Sequence, residues 1–114
     1  MYLIGYYGIN MKFEVRTTLE FDDWLGGLKD RRDILRISAR IDRIEQGNLG
    51  DTKPIKGEDF SEFRFFFGAG YRIYYTKKGK TIILLLVGGN KDTQNRDIEK
   101  ARSVMTSLDL EEDK

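Results

Sequence analysis

The 114-residue sequence has no cysteine, no histidine and a single proline. Without cysteine there are no disulfides, no thiolate metal sites and no cysteine nucleophile. Without histidine the commonest general base and the commonest zinc ligand are missing. No metal and no cofactor are therefore expected, and any catalysis must rest on Arg, Lys, Tyr, Asp or Glu. Net charge is almost absent too: 20 basic residues against 19 acidic leave +1. The total thus says nothing about a nucleic-acid partner; only the distribution of charge can. The uncharged opening MYLIGYYGIN is too short to cross a bilayer and lacks the basic start of a signal peptide. No membrane partner is expected, and the expected location is the cytoplasm.

What is present describes a packed globule. Hydrophobic residues make up 39% and aromatics 12%, enough for one ordinary core in a chain of one-domain length. A second methionine at Met11 suggests that residues 1–10 are an upstream start or a loosely ordered extension. Residues 11–108 are expected to form a single domain, and residues 109–114 an acidic, frayed tail.

Periodicity sets the element order. Lys12–Thr18 alternates and reads as a strand. A short helix is expected over Phe21–Leu28, with Thr18 or Glu20 near its start. From Arg31 to Gln46, Ile34, Ile37, Ile41 and Ile44 recur at helical spacing, and Gly47 follows as a stop. A short edge strand near Ile55 follows the lone proline. Two strands form a hairpin across FRFFFGAGYRIYY, and Thr81–Val87, TIILLLV, suits a strand covered on both faces. Gly88-Gly89 reads as the end of that strand; no GxxxxGK[ST] phosphate loop is present. Asp92 or Thr93 can cap a last helix carrying Ile98, Ala101, Met105 and Leu108. The fold class is α+β: a small antiparallel-rich sheet ordered β-α-α-β-β-β-β-α, with helices packed on one face.

Faces of the hairpin follow from alternation. With Gly68-Ala69-Gly70 as a three-residue turn, Arg64 faces Tyr74 and Phe66 faces Arg72. Phe63, Phe65, Phe67, Tyr71, Ile73 and Tyr75 then share a core face. Glu62, Arg64, Phe66, Arg72 and Tyr74 share the other, more open one. Two arginines at diagonal positions, roughly 7–8 Å apart, suit a phosphodiester, and Phe66 and Tyr74 can stack on unpaired bases. The same spacing also fits a plain scaffold, with Arg64 paired to Glu62, Asp59 or an acid on a neighbouring strand and Arg72 stacked on Tyr74.

The second helix carries Arg32, Arg36, Arg40 and Arg43 on a stripe read as opposite the isoleucines. From Lys29 to Arg43, six basic residues stand against Asp30, Asp33 and Asp42, leaving +3. Such a stripe is either a solvated face with internal ion pairs or a contact for RNA or for an acidic partner segment.

The stretches FDDWLGGLKDRRDILRISARIDRIEQGNLGDTKPI and FSEFRFFFGAGYRIYYTKKGKTIILLLVGGNKDTQNRDIEKAR resemble the RelE/ParE superfamily of toxins. The chain is most similar to its addiction-module killer branch, the HigB-like host-killing toxins. The resemblance spans about Phe13 to Ser107 and rests on the E-x-R…G-Y-R hairpin together with the LLL-x-GG-x-K strand exit. It implies the toxin of a type II toxin–antitoxin system, with a cognate antitoxin, a helix-turn-helix protein from the adjacent gene, and operator DNA reached only through that antitoxin. RelE-like members cut messenger RNA on the ribosome, an mRNA interferase activity that inhibits translation and needs no metal. The ribose 2′-hydroxyl attacks the adjacent phosphate, leaving a 2′,3′-cyclic phosphate. ParE-like members instead poison gyrase without catalysis, and an inactive toxin can serve only as antitoxin and operator partner. Carried over, Arg64, Arg72 and Lys91 are the expected catalytic cations, with Phe66, Tyr74, Arg36, Arg40 and Arg43 binding substrate. The chain departs from its relatives in lacking their histidine or last-helix tyrosine, which leaves Lys91, Asp92 or Asp97 for proton transfer.

Overall fold

The computed structural model describes residues 12–112, so the opening decapeptide lies outside the described residues. The elements run β1 (Glu14–Thr17), α1 (Leu19–Gly26), α2 (Arg31–Glu45), β2 (Thr52–Pro54), β3 (Ser61–Arg64), β4 (Tyr71–Lys78), β5 (Ile82–Asn90) and α3 (Gln94–Glu112). This is the order the sequence predicts. One five-stranded sheet is ordered β1-β5-β4-β3-β2. β1 runs parallel to β5 and every other pairing is antiparallel, which makes the fold α+β with a mixed sheet.

Local chemistry places the helices. The Thr18 side chain accepts the Phe21 amide at 3.0 Å as N-cap of α1. Its hydroxyl also donates to the Leu86 carbonyl at 2.6 Å, tying the cap to β5. Asp30 caps α2 by accepting the Arg32 amide at 2.9 Å, and Gly47, at φ 97°, lets the chain leave that helix. Pro54 falls on the edge strand, where its missing N–H costs nothing. α3 continues to Glu112, past residue 108, the expected domain limit.

Two cores flank the sheet, and here the expectation of helices on one face is corrected. Phe21 of α1 and Ile37 and Ile44 of α2 pack on Phe63, Ile73, Tyr75, Ile83 and Leu85. On the opposite face, Ala101 and Val104 of α3 cover Phe60, Tyr74, Leu86 and Val87. The physical reason lies in β5, which is apolar on both sides and needs cover on both. A register shift at the Tyr74/Tyr75 step accompanies the turning of both Leu86 and Val87 toward α3.

Gly88 and Gly89 lie inside β5 and do not end it. A Cβ on Gly88 would sit 2.2 Å from Trp24 Cε3, and one on Gly89 would sit 1.7 Å from Asp97 Oδ2. The pair lets α1 and α3 press onto opposite faces of the same strand.

The hairpin register also differs from the expected one. Arg64 faces Arg72 and Phe63 faces Ile73, a slip of two residues that leaves every side chain on its expected face. Phe63, Phe65 and Ile73 are buried against the first two helices, as the alternation predicts. The turn is wider than three residues, with Gly68 at φ 55° and Gly70 at φ 69°. α2 holds it open: Tyr71 donates its hydroxyl to Asp33 at 2.6 Å, and Gly68 lies so close that a Cβ would be 3.0 Å from the Asp33 carboxylate. That hydrogen bond, then burial, pushes the Tyr71 phenol up to about 12.

Candidate functional site

β2 begins at Thr52, whose partner is Phe63, so Arg64 stands just beyond the short edge strand. Its amide donates to the Asp51 carbonyl at 3.0 Å. Its guanidinium forks the Asp51 carboxylate, Nε to Oδ2 at 3.1 Å and Nη2 to Oδ1 at 3.0 Å. The hydrogen bonds to Asp51 push the Arg64 pKa up. Phe66, 79% exposed, lies with its ring centroid 5.9 Å from the Arg64 guanidinium. Arg36, exposed on α2, lies over the Phe67 ring at 5.1 Å, and exposed Arg43 completes that wall. Together they enclose a cleft of about 320 Å³ between α2 and the hairpin. Four of the expected site residues, Arg64, Phe66, Arg36 and Arg43, therefore meet in one place.

Arg40 contributes differently. It is 8% exposed, with Nη1 donating to the Arg64 carbonyl at 2.9 Å and Nη2 to Asp51 and Leu49 carbonyls at 2.8 and 3.0 Å. The guanidinium also lies over Phe63 and Phe65, and burial pushes its pKa down. The stripe argument misplaced it: Asp33, Ile37, Arg40 and Ile44 are the buried positions of α2, and their 4-3-4 spacing is itself one helical face. Arg40 builds the floor of the cleft by satisfying backbone carbonyls and has little surface to offer a substrate.

Arg72 faces Arg64 across the strand pair and shares its side of the sheet. The expected open setting is corrected, because this side chain is only 13% exposed. Nη1 donates to the carbonyls of Gly70 and Tyr71 at 3.0 and 3.1 Å. Nε lies 3.6 Å from the buried Glu62 carboxylate, an ion pair without a hydrogen bond. Tyr74 is wholly buried beneath α3, so its ring is not available to a base. Its hydroxyl has no hydrogen-bond partner, and burial, followed by the charges of Glu62 and Asp97, raises its pKa.

Lys91 is exposed and packs its stem on the hairpin tip, Cδ lying 3.2 Å from where a Cβ on Gly70 would be. It is thus brought beside the backbone that anchors Arg72. It lines a separate cleft of about 430 Å³ with Asp92 through Arg96 at the start of α3. Of the acids considered for proton transfer, Asp97 is 4% exposed, accepts the Thr93 hydroxyl and sits on Gly89, which is a structural post. Asp92 is exposed. Asp51 was missed by sequence reasoning, since nothing in NLGDTKP marks it as the partner of a residue in the next strand. Among the described residues no group of three or more acids is placed to hold a metal ion, and no helix is long and apolar enough to cross a membrane.

No protein-family model matches the chain. An uncharacterized protein of Haemophilus influenzae is 41% identical over 100 residues, covering 88% of this chain and all of that protein. Among solved structures, a chain of the crystal structure of the toxin–antitoxin complex RelBE2 from Mycobacterium tuberculosis superposes with a TM-score of 0.57 at 19% identity. The match covers 70% of this chain and 99% of that one, and it establishes the fold.

Proposed function

This chain belongs to the family of the Haemophilus influenzae protein; from its fold and the cations of its hairpin, we propose that it is the toxin of a type II toxin–antitoxin module. It acts as a metal-independent endoribonuclease on messenger RNA at the ribosome and is held silent by a cognate antitoxin. The observation that carries the reading is the facing pair Arg64 and Arg72, with Lys91 packed on the glycine that anchors Arg72. In the reaction the 2′-hydroxyl attacks the adjacent phosphorus and the bond to the 5′-oxygen breaks, leaving a 2′,3′-cyclic phosphate and a 5′-hydroxyl. Cations aimed at the phosphorane oxygens stabilise the charge that develops there. Arg64 reaches a phosphate by exchanging Asp51 for it, exposed Lys91 supplies charge and a proton to the leaving 5′-oxygen, and the 2′-hydroxyl proton passes to water.

The carboxylates already seated on both arginines favour one alternative, a toxin fold that binds its antitoxin and RNA without cutting. The experiment that decides is induction of the chain in growing cells, followed by mapping of 5′ ends on ribosome-bound mRNA. Growth arrest with new 5′-hydroxyl ends supports the nuclease. Arrest without cleavage supports a non-catalytic poison, and the absence of arrest sinks the toxin reading. Lys91→Ala and Arg64→Ala are the informative variants. Arg72→Ala is not, because it strands Glu62 as an unpaired buried charge and so perturbs the fold as well.

A further inference from the structure

The cleft between α2 and the hairpin has a feature that the nuclease reading does not require. Its side chains alternate aromatic and cationic, Phe66 with Arg64 on one wall and Phe67 with Arg36 on the other. Four arginines and one aspartate line it, a surplus of three positive charges. The one carboxylate, Asp51, does not lie loose in the cleft. It holds both ends of the Arg64 fork at 3.0 and 3.1 Å, the bidentate geometry an arginine also offers to a phosphate. Phe66 next to it is 79% exposed, a ring with one face covered by a cation and most of its area in solvent. A lone exposed aromatic in such a setting is what an unpaired base stacks on.

We infer that this cleft is a nucleotide-binding groove for single-stranded RNA in which Asp51 stands in the place of a phosphate and competes with it for Arg64. The base stacks on Phe66, one phosphate replaces Asp51 on Arg64, and Arg36 and Arg43 meet the phosphates on either side. Asp51 thereby sets the affinity: its carboxylate must be displaced before the strand seats. The choice of RNA rests on the reading of the chain as an RNA-directed toxin; the binding itself does not depend on cleavage. Charge favours an acidic protein segment equally, and it is the exposed ring of Phe66 that favours a base, so the acidic segment becomes an arm of the test.

The experiment is fluorescence anisotropy of a labelled single-stranded RNA decamer with the purified full chain, repeated over a salt series, with circular dichroism confirming that each variant is folded. Asp51→Asn keeps the side-chain shape, and the Asp51 carbonyl retains its bonds to Arg64 and Arg40. The variant should bind more tightly than the native chain. Its plot of log affinity against log salt should steepen, because in the native chain the displaced Asp51 carboxylate takes up a cation that offsets part of the counterion release. Arg64→Ala should weaken binding and flatten the plot by up to about 0.7, the slope of the one single-strand phosphate contact it loses. Phe66→Ala should weaken binding roughly 5- to 150-fold, the range of one base–ring stack, with the salt slope unchanged.

Native affinity in Phe66→Ala, or an unchanged salt slope in Asp51→Asn, would overturn the proposal. So would tighter binding of duplex RNA, or stronger competition by an acidic peptide than by the unlabelled decamer. Binding with the expected variant pattern in a chain that does not arrest growth upholds the groove while refuting the toxin reading. Growth arrest in a chain that binds no single strand does the reverse.

Discussion

Replacing Arg40 by methionine keeps an unbranched stem of similar length and removes the guanidinium. In the native chain that group donates four hydrogen bonds to three backbone carbonyls: two to Leu49, one to Asp51 and one to Arg64. The Asp51 carbonyl keeps the Arg64 amide as a donor, but Leu49 loses both bonds and Arg64 loses its side-chain donor. A buried carbonyl left without a partner costs about 1–3 kcal/mol. Two of them set a destabilisation of about 2–6 kcal/mol, with ~3 as the central value because a thioether against Phe63 and Phe65 recovers part of the cation–π contacts. At about 4–6 °C per kcal/mol for a domain of this size, the melting temperature should fall by roughly 12–18 °C. Arg40→Lys should fall between the two, because a point ammonium cannot reach carbonyls arranged around a planar fork. Urea unfolding followed by far-UV circular dichroism measures this directly, and the midpoint should drop with the slope unchanged. A methionine variant within ~0.5 kcal/mol of the native chain, the usual range for a surface change, would show that Arg40 is a solvated ligand-binding residue after all.

Three further outcomes follow from the same geometry. Gly89→Ala forces a methyl group into the Asp97 carboxylate, 1.7 Å away, and should cost at least about 1–3 kcal/mol by overpacking. Adding Asp97→Ala should recover part of that loss in a double-mutant cycle of urea midpoints, and strictly additive losses would refute the clash. The Tyr71 phenol should ionise near 12 rather than 10.0. Because its folded pKa lies above the unfolded one, its stabilising effect is complete below pH 10 and is lost between pH 10 and 12. Tyr71→Phe should remove that contribution, as read from stability against pH. On the proposed nuclease function, Lys91→Ala should lower cleavage of ribosome-bound mRNA by roughly 10²–10³, the scale for one charge-stabilising donor, with an unchanged melting temperature; full activity would remove Lys91 from the site.

Local signals carried much of this protein. Thr18 caps α1 from its side chain, Gly47 stops α2, and strict alternation put Phe63, Phe65 and Ile73 in the core even though the pairing register was misjudged by two residues. Faces survive an even slip because the side-chain period of a strand is two. The element order and the α+β class rest on such short-range rules, which act within a few residues and are written in the sequence. Tertiary structure decided what depends on the arrival of a distant segment. Gly88 and Gly89 look like a strand end until Trp24 and Asp97 occupy the space their missing side chains leave. Arg40 looks like part of a solvated stripe until three carbonyls, from Leu49, Asp51 and Arg64, close around it. Tyr74 looks open until α3 covers it, Arg72 until Glu62 and the hairpin carbonyls hold it, and Arg64 has several candidate acids until Asp51 takes its fork. Each of these turns on which partner satisfies a buried polar group or fills a gap, and such partners stand far apart in the chain and meet only once it has folded.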